Sequence, residues 1–176
     1  MGKQLMLKRL LILIGMGLGL AGCVLQSHQP LFSENDGVSL PKALGTHFVM
    51  ENFDDGAWAK EEGSITLKAI DHHYVATDEA KKDEIAALFV PLDKNWWVMQ
   101  AQEKDKPSVY ILAQAEGNAL LLTPLTCEDL KLKPAAAAEI SFEGDDCYLK
   151  GGQGVDYFKA LMATAKPPQM RLSKIN

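Results

Sequence analysis

From Thr46 onward the chain is cut into short apolar runs, each a few residues long and each closed by turn-forming residues. That rhythm argues for strands joined by tight connections. His47 to Met50 is a first candidate. Ile65, Leu67 and Ala69 then alternate with Thr66 and Lys68, Asp71-His72 makes a turn, and Tyr74 to Ala76 returns. Asp78 to Glu84 is charged and reads as a short helix or a loop. The clearest stretch follows: Ala86 to Leu92, Trp96 to Gln102, Val109 to Gln114 and Leu120 to Leu125. These runs are separated by Asp93-Lys94-Asn95, by Glu103 to Pro107 and by Glu116-Gly117-Asn118. Repeated strand–turn–strand units with such short turns read as an antiparallel meander.

Past Cys127 the pattern loosens. Pro134 and Ala135 to Ala138 suit a short helix or an irregular connection. Ile140 to Phe142 and Cys147 to Leu149 flank Gly144-Asp145-Asp146 as a small hairpin. Val155, Phe158, Met162 and Ala165 recur at helical spacing, with Asp156 favourably placed in the first turn and Pro167-Pro168 as a stop. Met170 to Ile175 is a last strand. The expectation is a mainly β fold, an antiparallel meander forming a sandwich or partly open barrel of seven to nine strands. One helix near the C-terminus packs across an open end or face. Residues 46–176 are expected to form this single domain.

Upstream, Met1 to Arg9 carries Lys3, Lys8 and Arg9 and no acid, and Leu10 to Leu20 is a run of Leu, Ile, Gly and Met. Eleven helical residues at about 1.5 Å each reach only about half of a hydrocarbon core of roughly 30 Å, so the run reads as a signal-peptide core and not a spanning helix. Leu20-Ala21-Gly22-Cys23 follows at once. This arrangement resembles the signal peptide and lipobox of bacterial lipoproteins. The resemblance covers residues 1–23 and implies cleavage before Cys23, with residues 1–22 removed and lipid attached to the cysteine. Two or more acyl chains give stable anchoring where one does not. The residue after the cysteine is Val24; an Asp there is the usual inner-membrane retention signal, so the resemblance implies the outer membrane. Residues 23–45, rich in polar and turn residues without periodicity, are expected to be the lipidated cysteine and a flexible tether, with one helical turn near Pro41 to Leu44.

The full chain has 18 Lys and Arg against 23 Asp and Glu. Losing Lys3, Lys8 and Arg9 with the signal peptide leaves 15 against 23, a balance of −8 over 154 residues. Such a surface makes nucleic acid and anionic headgroups poor partners for the domain. With Cys23 lipidated, Cys127 and Cys147 remain. An even pair outside the cytoplasm is most simply a disulfide, worth roughly 3 kcal/mol for a loop of about 20 residues.

No cofactor and no metal site is expected. His72 and His73 are adjacent, so on a strand they point to opposite faces. Glu51 to Glu62 imitates part of a calcium loop, but Phe53 stands where a ligating oxygen is needed. Gly151 to Gly154 lacks the ending of a phosphate loop. No Gly-x-Ser-x-Gly elbow occurs, and no catalytic residue is assigned. The most unusual local feature is Trp96-Trp97: alternation places one indole on each face of its strand, which makes the pair the candidate binding surface. The expectation is a non-enzymatic binding or structural module, anchored through Cys23, that contacts a protein partner or an apolar ligand. The alternative is an inhibitor of a lysozyme-like hydrolase, by analogy of size, β character and disulfide alone; an envelope hydrolase comes second.

Overall fold

The computed structural model describes residues 24–175 apart from 62, 80 and 81. The signal peptide and Cys23 lie outside the described residues. Within them the strands are β1 (Gln26–Ser27), β2 (His47–Asp54), β3 (Ala57–Lys60), β4 (Ile65–Ile70), β5 (His73–Asp78) and β6 (Glu84–Asp93). They continue as β7 (Trp96–Gln102), β8 (Ser108–Glu116), β9 (Ala119–Pro124), β10 (Ile140–Glu143), β11 (Asp146–Leu149) and β12 (Met170–Lys174). The helices are α1 (Cys127–Lys131), α2 (Pro134–Ala137) and α3 (Val155–Met162).

The expected meander closes on itself. Strands β2, β4, β5, β6, β7, β8 and β9 pair in chain order, β12 pairs with β9, and β12 also pairs with β2. The result is an antiparallel barrel of eight strands, closed and not partly open. At the rim where β2, β5, β7 and β9 begin, here the upper rim, the connections are two-residue turns. Asp71, Asn95 and Gly117 take left-handed conformations there, with φ of 52°, 62° and 60°. These residue types tolerate that region, and it matches the twist of a hairpin. The lower rim carries the longer connections and the excursion from Leu125 to Gln169.

Alternation along each strand fills the barrel. Phe48, Met50, Phe89, Trp97, Met99 and Leu122 belong to one continuous interior cluster. An eight-stranded barrel has an interior just wide enough for side chains or one small ligand. A second cluster lies on the outer face of β6, β7 and β8. There Leu88, Val90, Val98, Tyr110 and Leu112 are covered by α1, α3 and the β10–β11 hairpin. This two-sided burial explains the continuous apolar runs of β6 to β9, whereas β4, facing solvent outside, alternates. The C-terminal helix α3 buries Phe158 and Leu161 in that outer layer.

The segment expected to be a tether is instead part of the fold. Val24 forms a bridge with Thr126, and β1 pairs with both β8 and β11. The Leu25 N–H donates to the Leu125 carbonyl at 2.7 Å, and the Leu25 carbonyl accepts from Tyr110 N–H at 3.0 Å. Leu25 is fully buried, and Phe32 nearly so. The chain then climbs the outer face to the upper rim. There Val38 N–H donates to the Phe89 carbonyl, beside the part of β6 that extends past β5. Val38, Leu40 and Leu44 pack against the interior cluster and close that end, with a short 3-10 turn at Lys42–Leu44 near the expected helical turn. The fold therefore takes in the described segment from Val24 onward and does not start at residue 46.

Candidate functional site

Trp96 and Trp97 lie on opposite faces of β7, as period-two geometry requires. Trp97 is buried inside the barrel, while Trp96 is half-buried against the outer cluster that contains Phe158. The pair thus joins two cores across one wall and does not form a common surface.

The outer face of β6 to β8 carries a buried polar network. Gln100 accepts at Oε1 from the N–H groups of Leu31 and Phe32, each at 3.0 Å, and its Nε2 donates to the Phe32 carbonyl at 3.0 Å. Tyr110 Oη lies 2.6 Å from Ser27 Oγ, accepts from Leu31 N–H at 3.1 Å and donates to Gln100 Oε1 at 3.2 Å. Burial pushes the Tyr110 hydroxyl above its ordinary pKa, with the Ser27 and Leu31 hydrogen bonds acting the other way. A buried amide and phenol satisfied in this way hold the N-terminal segment in one register. Apart from the bond it accepts from Tyr110 Oη, Gln100 spends its hydrogen bonds on the backbone of Leu31 and Phe32.

A second arrangement, missed in the sequence, stands at the lower rim on the β2–β3 hairpin. Asp55 and Gly56 form its turn, with φ of 47° and 83°. Phe53 and Trp58 are cross-strand partners, their rings edge to face at 5.2 Å. From β12, the Arg171 guanidinium lies over the Trp58 ring at 4.7 Å, and Arg171 Nε donates to Glu51 Oε2 at 2.7 Å. The Ser173 hydroxyl donates to the same oxygen. The Arg171 hydrogen bond, more than any other contact, holds the Glu51 carboxyl below the usual range despite its partial burial. Beside it, Asn52 Nδ2 donates to Glu61 Oε1 at 2.7 Å. Phe53 remains 49% exposed, a large apolar ring on an outer face. The signal was in the sequence: Phe53 and Trp58 stand symmetrically about Asp55-Gly56, as cross-strand neighbours must.

The remaining candidates have plain surroundings. His72 is exposed in a turn, and His73 Nδ1 lies 3.5 Å from Glu34 Oε1. Gly154 precedes α3 at its N-terminus, with Asp156 exposed in the first turn. Among the described residues no three His, Cys, Asp or Glu side chains cluster to hold a metal ion, and no helix is long and apolar enough to cross a membrane. Cys127 and Cys147 are joined in a disulfide with Cα atoms 5.6 Å apart, tying the first residue of α1 to β11. Compared with protein families, curated proteins and solved structures, the chain matches none.

Proposed function

We propose that this chain is a lipid-anchored envelope lipoprotein, held at the outer membrane through Cys23, whose barrel serves as a non-enzymatic binding or structural module. The observation that carries the reading is the order of basic segment, apolar run and Leu20-Ala21-Gly22-Cys23, followed directly by a residue, Val24, that is already backbone-paired in the domain. Cleavage before Cys23 would leave the paired segment from Val24 onward in the mature chain.

The non-enzymatic part rests on how the polar side chains are used. Ser27, Gln100 and Tyr110 fasten the N-terminal segment, and both cysteines of the mature domain are in the disulfide. Glu51 is engaged by Arg171 and Ser173, and Glu79 accepts from Ser64 and Thr66. Each of these groups has a structural partner within its own fold. Exposed apolar surface, by contrast, is available for recognition at Phe53.

Metabolic labelling with a fatty-acid analogue tests the anchor. The wild type should incorporate label and run at the size of a chain starting at Cys23. Cys23→Ser should lose both label and processing. Normal labelling and mature size in that variant would overturn the reading.

A further inference from the structure

We propose that the free edge of β3 pairs with the same edge of a second copy of this chain, so that two barrels share one antiparallel ladder about a two-fold axis. Among the described residues β3 pairs with β2 alone. Two bonds fix which of its backbone groups are left over. Glu61 N–H donates to the Met50 carbonyl at 2.8 Å, on the β2 side, and Phe53 N–H donates to the Gln169 carbonyl at 2.8 Å, on the β12 side. Bonded and non-bonded pairs alternate along an antiparallel ladder, so Asn52 and Ala59 exchange bonds while Phe53–Trp58 and Glu51–Lys60 do not. Trp58 and Lys60 therefore turn their N–H and C=O groups to the free edge.

Most features that keep an edge strand from pairing are missing here. The strand has no proline and no bulge against β2, and Ala57 and Ala59 are exposed and small. The Trp58 ring is held by Phe53 of β2 and the Arg171 guanidinium of β12, both on the barrel side of β3, so the largest side chain is drawn back from the edge. The one protective residue is Lys60, and it selects the register. Residues with outward backbone groups must oppose one another, which leaves Trp58 on Trp58, Lys60 on Lys60, or Trp58 on Lys60 in both directions. Lys60 on Lys60 sets two ammonium groups face to face, which opposes pairing. Trp58 on Trp58 leaves each Lys60 against Gly56, in the turn and outside β3. Trp58 on Lys60 engages both residues of each copy, sets each ammonium beside an indole instead of a like charge, and centres the ladder on Ala59 against Ala59. This self-complementary pattern makes a second copy the occupant. The paired arm is short, so association is weak and rises with concentration.

The test places Ala59→Cys in the full chain and applies a mild thiol oxidant. Opposed residues that exchange no backbone bonds have Cα atoms about 4.5 Å apart, within the roughly 4.4–6.8 Å that a disulfide spans. A reducible dimer of twice the chain mass should form, and more of it at higher protein concentration. Ala57→Cys, exposed on the same face but opposite Glu61 in this register, should cross-link no more than the wild type, whose native cysteines set the background. Lys60→Pro in the Ala59→Cys chain removes an N–H that only the free edge uses, and should abolish the dimer in a chain whose melting transition shows it folded. No dimer from Ala59→Cys, or equal cross-linking at residues 57 and 59, overturns the proposal. A dimer that survives Lys60→Pro overturns it too, as does a cross-linked product that contains a different protein.

Discussion

Trp97 and Trp96 differ in what surrounds them, and their substitutions should differ accordingly. Trp97 is buried among Phe89, Met99 and other barrel side chains, so Trp97→Ala should cost about 3–5 kcal/mol, as large core truncations do. Trp96→Ala removes a half-buried ring from the outer layer and should cost distinctly less in the same urea titration. Gly37 makes a sharper local test. A Cβ there would collide with Leu88 Cδ1 and the His72 carbonyl, so Gly37→Ala should lower the melting midpoint by displacing the segment that closes the upper rim. Glu51 sets a pH dependence. Its carboxyl is held below the ordinary range, chiefly by Arg171, so the folded state binds that proton less readily than the unfolded chain does. The stability from this pair is present above the ordinary glutamate range and is lost as the pH falls below it. Urea midpoints measured against pH should drop less in Glu51→Gln than in the wild type over that acid window.

At the scale of elements, the N-terminal segment and the outer layer depend on a few fixed points. Gln100→Leu would leave the Phe32 amide without its acceptor, at about 1–3 kcal/mol, while the Leu31 amide keeps Tyr110 Oη. Opening the disulfide with Cys127→Ser and Cys147→Ser should cost about 3 kcal/mol by loop-entropy reckoning. The loss should appear first as faster amide exchange in β10 and β11, before the barrel strands respond. These elements were unevenly legible. The strands β6 to β9 could be read directly because burial on both faces writes continuous apolar runs into the sequence. The hairpin at Gly144 and helix α3 could be read from turn chemistry and helical spacing. The segment 24–45 could not. Its strand is two residues long, and the buried Leu25, Phe32 and Leu44 recur at no strand or helix period, with their partners on remote strands. Polar composition there reads as a tether, whereas the Ser27 hydroxyl and the backbone of Leu31 and Phe32 are held by Gln100 and Tyr110. The hairpin pair Phe53 and Trp58 was overlooked because neither belongs to a run; only the turn between them relates the two.

For the whole molecule, closure was the step that local pattern could not supply. The barrel closes through β12 on β2, with Arg171 opposite Glu51, a pairing between residues far apart in the chain that no short window reveals. A meander of this kind could equally have folded over as two sheets. Once closed, the barrel leaves the N-terminal segment one route, from the lower rim up the outer wall and over the upper end, and this route places Val24 against the fold. The account's central claim is that the segment from Val24 to residue 45 is part of the fold and not a tether. Hydrogen exchange at two amides tests it most directly: Leu25, which donates to the Leu125 carbonyl, and Tyr110, which donates to the carbonyl of Leu25. Both should exchange as slowly as the paired amides of β7. Exchange of both at the rate of the exposed 103–107 connection, while β7 stays protected, would show a free tether and contradict the account.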